Sequence, residues 1–311
     1  MPHRIATFAI FCATLVTIPV AGQQPRSSPL RNDPPLATTS IPTEAEQRAL
    51  IDRVIVNQHA NDLALPLFQR VEHRQVRGRD GDASAVEDRI SRVVPTGVNS
   101  GRIILAENGK SSDPAKIHEQ MDIVARALQA AQDPANRQTK LDREKYEKRM
   151  HDRSDFVNTV RNAYTFTWMG REVRDGRTLA KFKLDPNPSF VPKTREEDLL
   201  RHATAVAWID EKAAQLVLLE ADLNSEISFA WGIAGKVNRG AKLIYEQNEV
   251  EPGLWFPSLY QYDFTGRKFL FYFELHQHTE TSHYFRAGPP SQALASLRAE
   301  LSGGASARPL Q

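Results

Sequence analysis

Cysteine is nearly absent from this chain: Cys12 is the only one in 311 residues. It lies inside an apolar run, Ile5 to Val16, that is too short to cross a bilayer as a helix. His3 and Arg4 precede the run and Val20-Ala21-Gly22 follows it. That order of charged, apolar and small residues predicts a signal peptide over residues 1–22, with Gln23 as the mature start. A lipoprotein signal would place its cysteine after the apolar run, so lipidation at Cys12 is not expected. The mature chain then has no disulfide, no zinc–cysteine site and no thiol nucleophile. A large charge of either sign is missing too. The 40 basic and 38 acidic residues leave a net charge of +2, and no basic stripe is interleaved with stacking aromatics, so nucleic acid is not an expected partner. The basic stretch from Lys140 to Arg161 contains Glu144, Glu147, Asp152 and Asp155, and reads as a solvated helix face.

Catalytic signatures are equally scarce. No G-x-S-x-G is present, so a nucleophile elbow has no support. Gly232-x-x-Gly235-Lys236 is two residues too short for a phosphate loop, and Val237 stands where that loop needs Ser or Thr. His151 and Asp155, four apart, read as an ordinary surface pair on a helix. No catalytic residue and no cofactor is assigned, and the chain is read as a non-enzyme.

What the sequence does contain is strand periodicity in its second half. Residues 23–40 are rich in Pro, Ser and Thr, without hydrophobic period, and predict a disordered leader. Thr43 with Glu46 has capping-box spacing and starts a helix with Leu50, Ile51, Val54, Ile55 and His59 on one face, ending at Asn61-Asp62. Strands follow over Pro66–Val76, Val86–Val94 and Arg102–Ala106, the first two separated by a turn over Gly78–Asp82. Asp113 and Pro114 open a helix to Ala131, and a more polar one spans Leu141–Val160.

The period then changes from 3.6 to 2. Tyr164, Phe166 and Trp168 share a strand face, as do Phe182 and Leu184. Further strands run through Ala203–Ile209, Leu216–Leu223, Ser225–Ile233, Ala241–Gln247, Leu254–Phe264 and Lys268–His276. In the last of these Phe269, Phe271, Phe273 and Leu275 line one face, and Leu270 and Tyr272 lie on the other. Strands apolar on both faces must be covered twice. These elements predict one α+β domain over residues 41–286, and a flexible tail over 287–311 with room for a short helix at Ser291–Leu301.

Trp208-Ile209-Asp210 ends one strand and Leu216-Val217-Leu218 begins the next. This hairpin resembles the periplasmic lipoprotein-sorting and carrier superfamily. Asp185-Pro186-Asn187-Pro188 with Thr194-Arg195-Glu196, and the stretch from Phe229 to Gly240, resemble a group of uncharacterised bacterial secreted proteins near it. The resemblance implies a strongly curved antiparallel sheet, an open half-barrel, with helices on its concave side. In the carrier members of that superfamily the hollow holds acyl chains. The present chain is much longer than the sorting chaperone.

Three functional expectations follow. The first is an exported, periplasmic or secreted binding protein holding a lipid or acylated partner. Phe166, Trp168, Trp208, Leu218, Phe271 and Phe273 are the candidates to line the hollow. The second is a non-enzymatic envelope module with a filled core that binds another protein. The third is a metal-dependent enzyme at His276 and His278, with His283 five residues on, since an H-x-H pair on a strand puts both rings on one face. A polar strand end entering a loop accounts for the same histidines. Peripheral contact with a membrane is compatible with the first two, and the mature chain offers no transmembrane span.

Overall fold

The computed structural model describes residues 40–133, 135–229, 235–268 and 271–303. The expected signal peptide and nearly all of the leader lie outside the described residues, as do Phe269 and Leu270. The chain forms α1 (Glu44–Ala64), a 3-10 turn, β1 (Phe68–Asp80), β2 (Ala83–Pro95), β3 (Ser100–Glu107) and β4 (Lys110–Ser111). Helices α2 (Pro114–Ala131) and α3 (Arg137–Ala163) come next, then β5 (Tyr164–Arg174), β6 (Arg177–Pro186) and the short α4 (Arg195–Leu199). The remainder is β7 (Ala203–Asp210), β8 (Gln215–Leu223), β9 (Ile227–Phe229), β10 (Gly235–Val237), β11 (Lys242–Glu251), β12 (Leu254–Lys268), β13 (Phe271–Arg286) and α5 (Pro290–Ser302).

All strands join one antiparallel sheet of 13, in the order β4-β3-β2-β1-β13-β12-β11-β8-β7-β6-β5, with β9 and β10 on a side ladder from β12. Among the described residues the outermost strands β4 and β5 do not pair, so the sheet is open. Its centre is the ladder between β1 and β13, from Phe68 opposite Arg286 to Asp80 opposite Phe273. Bulges at Ile90/Ser91, Trp168/Gly170, Trp208/Ile209 and Glu246/Gln247 add local twist and bend the sheet. The architecture is α+β with a large curved antiparallel sheet, as the strand periodicity leads one to expect.

Local chemistry explains where the elements start and stop. The Thr43 hydroxyl accepts from the Glu46 amide, and the Glu46 carboxylate accepts from the Thr43 amide at 2.7 Å, completing the capping box. Helix α1 does not end at Asn61-Asp62, because both side chains are buried and engaged elsewhere. Asn61 donates to Gln215 at 2.9 Å and accepts from the Trp255 amide at 3.0 Å, while Asp62 takes a two-point contact from Arg153. Strand β1 also outruns its expected end. Gly78 is no turn residue but a ladder position opposite Leu275, where a Cβ would stand 2.4 Å from the Glu274 carbonyl oxygen. The turn falls at Gly81-Asp82.

Following the ladders sideways separates the two faces. One row runs Arg74, Thr279, Tyr260, Tyr245, Leu219, Ala207, Phe182, Trp168. Helices α1 and α3 pack on this inner face at its β5–β8 end, where Leu50, Ile51, Phe156 and Val160 meet Ala180, Phe182, Leu184, Ala205, Ala207 and Ile209. The alanines leave room for helix backbones to approach.

The opposite, outer face carries the row Gln75, His278, Gln261, Ile244, Glu220, Val206, Lys183. Helices α2 and α5 pack on this outer face at the other end of the sheet, joining Met121, Val124, Leu128, Leu294 and Leu297 to Val94 and Ile103. Helices therefore cover both faces, at opposite ends, rather than the concave side alone. The stretch expected as a flexible tail contains α5, whose Ala293, Leu294 and Leu297 are buried. An apolar stripe on α2 needs this second layer.

Candidate functional site on the inner face

Between its two helix-bearing ends the inner face is lined by rings. Strand β12 presents Tyr260, Tyr262 and Phe264 at alternate positions, and neighbouring strands add Tyr245 and Phe273. Consecutive centroids are 6.4 Å apart for Tyr245–Tyr260, 5.4 Å for Tyr260–Tyr262, 5.4 Å for Tyr262–Phe264 and 5.8 Å for Phe264–Phe273. The contacts are edge-to-face except for the stacked Tyr262–Phe264 pair, which suits the quadrupoles of the rings. Tyr262 is buried, and Tyr245, Tyr260, Phe264, Leu243 and Leu275 are half-buried. Helix α1 meets β12 near its start, where Asn61 accepts from the Trp255 amide, and α3 packs on β5; the ladder rings are outside the apolar cluster that the two helices form with β5–β8.

Polar groups close the ladder at the β1 side. The Tyr262 hydroxyl donates to Gln277 Oε1 at 2.6 Å, and Arg74 Nε donates to the same oxygen at 3.0 Å. Gln277 Nε2 donates to Thr279 at 3.0 Å. Beyond them Arg70 and Arg102 hold the two oxygens of Glu72, at 2.8 and 2.7 Å. Nearby, Tyr284 donates to the Pro257 carbonyl at 2.7 Å, and burial pushes its phenol above the ordinary range. The inner face is thus amphipathic: apolar toward β5–β8, aromatic at its middle, guanidinium-rich toward β2 and β3.

The six residues read from the sequence as lining candidates do not meet at one place. Phe166 and Trp168 pack around Phe182 on the inner face beneath the helices, at 6.5 and 5.3 Å between centroids. Trp208 and Leu218 form a separate cluster with Leu179 on the outer face. There the Trp208 indole donates to Glu172 at 2.9 Å and lies under the Lys181 ammonium at 4.5 Å. Phe273 ends the aromatic ladder, whereas Phe271 is 63% exposed near the tip of the β12–β13 hairpin. The tyrosines of the ladder are absent from that set. Their signal was available, because Tyr260-x-Tyr262-x-Phe264 alternates within a recognised strand.

Of the histidine candidates, His276 and His278 lie on the outer face. His276 Nδ1 is 2.8 Å from Asp263 and its Nε2 is 2.7 Å from Glu274, so both ring nitrogens face carboxylates. These contacts hold the His276 pKa above the usual histidine value. His278 meets Gln261 and Glu280, while His283 sits in a bulge with φ of 52° and bonds Ser282. Among the described residues no group of three or more His, Cys, Asp or Glu is placed to hold a metal ion. A shallow depression of about 280 Å³ lies elsewhere, between α1 and the β7–β8 turn, lined by Asp52, Arg53, Val56, Asn57, Ala213 and Ala214. Among the described residues no helix is long and apolar enough to cross a membrane.

No family model matches the chain, and no curated protein matches it. Solved structures similar to it include a putative outer membrane lipoprotein-sorting protein domain from Vibrio parahaemolyticus, at 8% identity and TM-score 0.28, over 76% of this chain and 92% of that one. A DUF1329 family protein from Desulfovibrio piger is similar at 10% identity and TM-score 0.30, over 77% and 92% of the two chains. A LolA superfamily protein from Nitrosomonas europaea is similar at 9% identity and TM-score 0.26, over 76% and 91%.

Proposed function

We propose that the protein is a non-enzymatic, exported carrier that holds the acyl chain of a lipid or lipidated partner against the inner face of its open sheet. The observation that carries this reading is the ladder from Tyr245 to Phe273, a strip of rings, Tyr262 buried and the others half-buried, outside the apolar cluster of α1 and α3. Removing a methylene from water contributes about 0.8 kcal/mol, so a chain laid along the strip gains several kcal/mol before ordering costs. The tyrosines suit such a role because each offers an apolar ring and a polar tip. Phe273 is already part of the strip, and Phe166 and Trp168, on the same face beneath the helices, would extend it if the helices shift. Trp208 and Leu218 would contact a ligand only from the outer side. Export rests on the signal peptide read over residues 1–22 and places the carrier in the periplasm or outside the cell.

Binding of the fluorescent acyl probe cis-parinaric acid tests the reading. The wild type should bind it, and the double variant Tyr245→Ser, Tyr260→Ser should lose at least about tenfold in affinity, ~1.4 kcal/mol. A wild type that takes up no probe, or a variant that binds as well, would contradict it. A second reading, an envelope module binding protein through its surface, is favoured by the packing of α1 and α3. They fill the β5–β8 end of the inner face with Leu50, Ile51, Phe156 and Val160.

A further inference from the structure

Four arginines share two carboxylates at the β2–β3 end of the inner face. Glu72, 1% exposed, receives Arg70 through one oxygen and Arg102 through the other. Glu87 receives Arg74 and Arg89 at 3.3 Å each, and both reach the same oxygen, Oε1. Arg89 also reaches the more exposed Glu107 at 2.7 Å. Buried charges are ordinarily matched one to one, because an uncompensated charge in a poorly solvated place is costly. Here the guanidiniums outnumber the carboxylates even with Glu107 included. The side chains of Arg74, Arg89 and Arg102 are 17, 25 and 18% exposed, so the excess is partly withdrawn from water yet reachable. Burial draws the Arg102 guanidinium below the usual arginine range, with Glu72 opposing and Arg70 and Arg74 adding to the effect.

The cluster is joined to the aromatic ladder. Arg74 and Tyr262 meet on the single oxygen Gln277 Oε1, and Arg74 lies in the same cross-strand row as Thr279, Tyr260 and Tyr245. A guanidinium presents five N–H donors in a planar fork suited to carboxylate or phosphate oxygens. From this juxtaposition we infer that the arginine cluster seats the anionic head of an amphiphile whose chain lies along the ladder, with Arg74 and Arg89 as the head contacts. The inference rests on the carrier reading and narrows it to acidic amphiphiles, carboxylate or phosphate, over neutral ones of equal chain length.

Titration of the full-length mature protein with hexadecanoate, hexadecyl phosphate, hexadecanol and inorganic phosphate tests this. The wild type should bind both acidic amphiphiles at least about tenfold tighter than hexadecanol, ~1.4 kcal/mol, and the gap should narrow as salt rises. In Arg89→Gln, the more exposed site, and in Arg74→Gln, the gap should fall to about twofold through weaker binding of the acidic amphiphiles rather than tighter binding of hexadecanol. Equal binding of acidic and neutral chains by the wild type, or an intact gap in both variants, would overturn the head-group assignment and leave the carrier reading standing. Inorganic phosphate competing as strongly as hexadecyl phosphate would assign the arginines to a free anion and overturn the amphiphile. Binding of none of the three chain compounds would instead overturn the carrier reading beneath it.

Discussion

Asp62 ties α1 to α3. Its buried carboxylate takes both Arg153 Nε and Arg153 Nη2 from α3, and accepts from Gln58 one turn earlier on α1 at 2.9 Å. Asp62→Ala should cost about 1–2 kcal/mol, because it removes the buried carboxylate that accepts from Arg153 and Gln58, while Arg153, 37% exposed, keeps access to water. A urea denaturation midpoint shifted with unchanged slope would register that loss. His276 offers a pH-dependent counterpart. Glu274 and Asp263 raise its folded pKa, so its stabilising contribution is complete below the unfolded histidine value and fades as pH rises through the folded one. His276→Gln should therefore lower stability at pH 5.5 and not at pH 9, by no more than about 1 kcal/mol given how exposed the ring is. Equal losses at both pH values would remove the ion pairs as the cause.

Single residues were unevenly legible in the sequence. Thr43 and Glu46 could be read because a capping box is local and needs nothing but its spacing. Trp208 could not be placed, because alternation shows that Trp208 and Ala207 face opposite ways without saying which face the helices cover. Arg70, Glu72, Arg74 and Arg102 were passed over for a related reason. In one dimension a charged residue on a strand reads as solvent-facing, and only cross-strand pairing shows Glu72 shut between two guanidiniums.

At the scale of elements, the packing of α2 on β3 depends on one missing side chain. A Cβ at Gly101 would stand 2.6 and 2.8 Å from the two methyls of Val124. Gly101→Ala should force α2 outward and cost about 1–3 kcal/mol, the range for overpacked sites, seen as a lower midpoint on urea unfolding. Gly101→Ala combined with Val124→Ala should recover part of it; no recovery would mean that backbone strain, not the contact, sets the cost. The helices and strands themselves were readable from period, to within a few residues at their ends. The end of α1 was misplaced because Asn61 and Asp62 resemble helix terminators yet serve as buried partners of Gln215, Trp255 and Arg153. Helix α5 was legible only as a short segment, since its burial depends on α2, far away in sequence.

For the molecule as a whole, the sheet joins the two ends of the domain. Strand β1 pairs with β13 over nearly its full length, and no turn signal announces a contact between segments some two hundred residues apart. That pairing brings Arg74 beside Gln277 and Thr279, and so creates the junction between the arginine cluster and the aromatic ladder. The sequence could supply the α+β class and the alternation of each strand, whereas the site depends on their lateral order. Its parts come from β1, β2, β3, β11, β12 and β13, spread over most of the chain.

The central claim is that a chain of apolar atoms lies along the inner face, and photolabelling tests it most directly. Purified mature protein loaded with a hexadecanoate analogue bearing a diazirine in its chain would be irradiated, digested and sequenced by mass spectrometry. The account predicts labels concentrated on Tyr245, Tyr260, Phe264 and Leu275, suppressed by an excess of unlabelled hexadecanoate. Labels scattered over the outer face around Trp208 and His278, or labelling that hexadecanoate does not suppress, would contradict it.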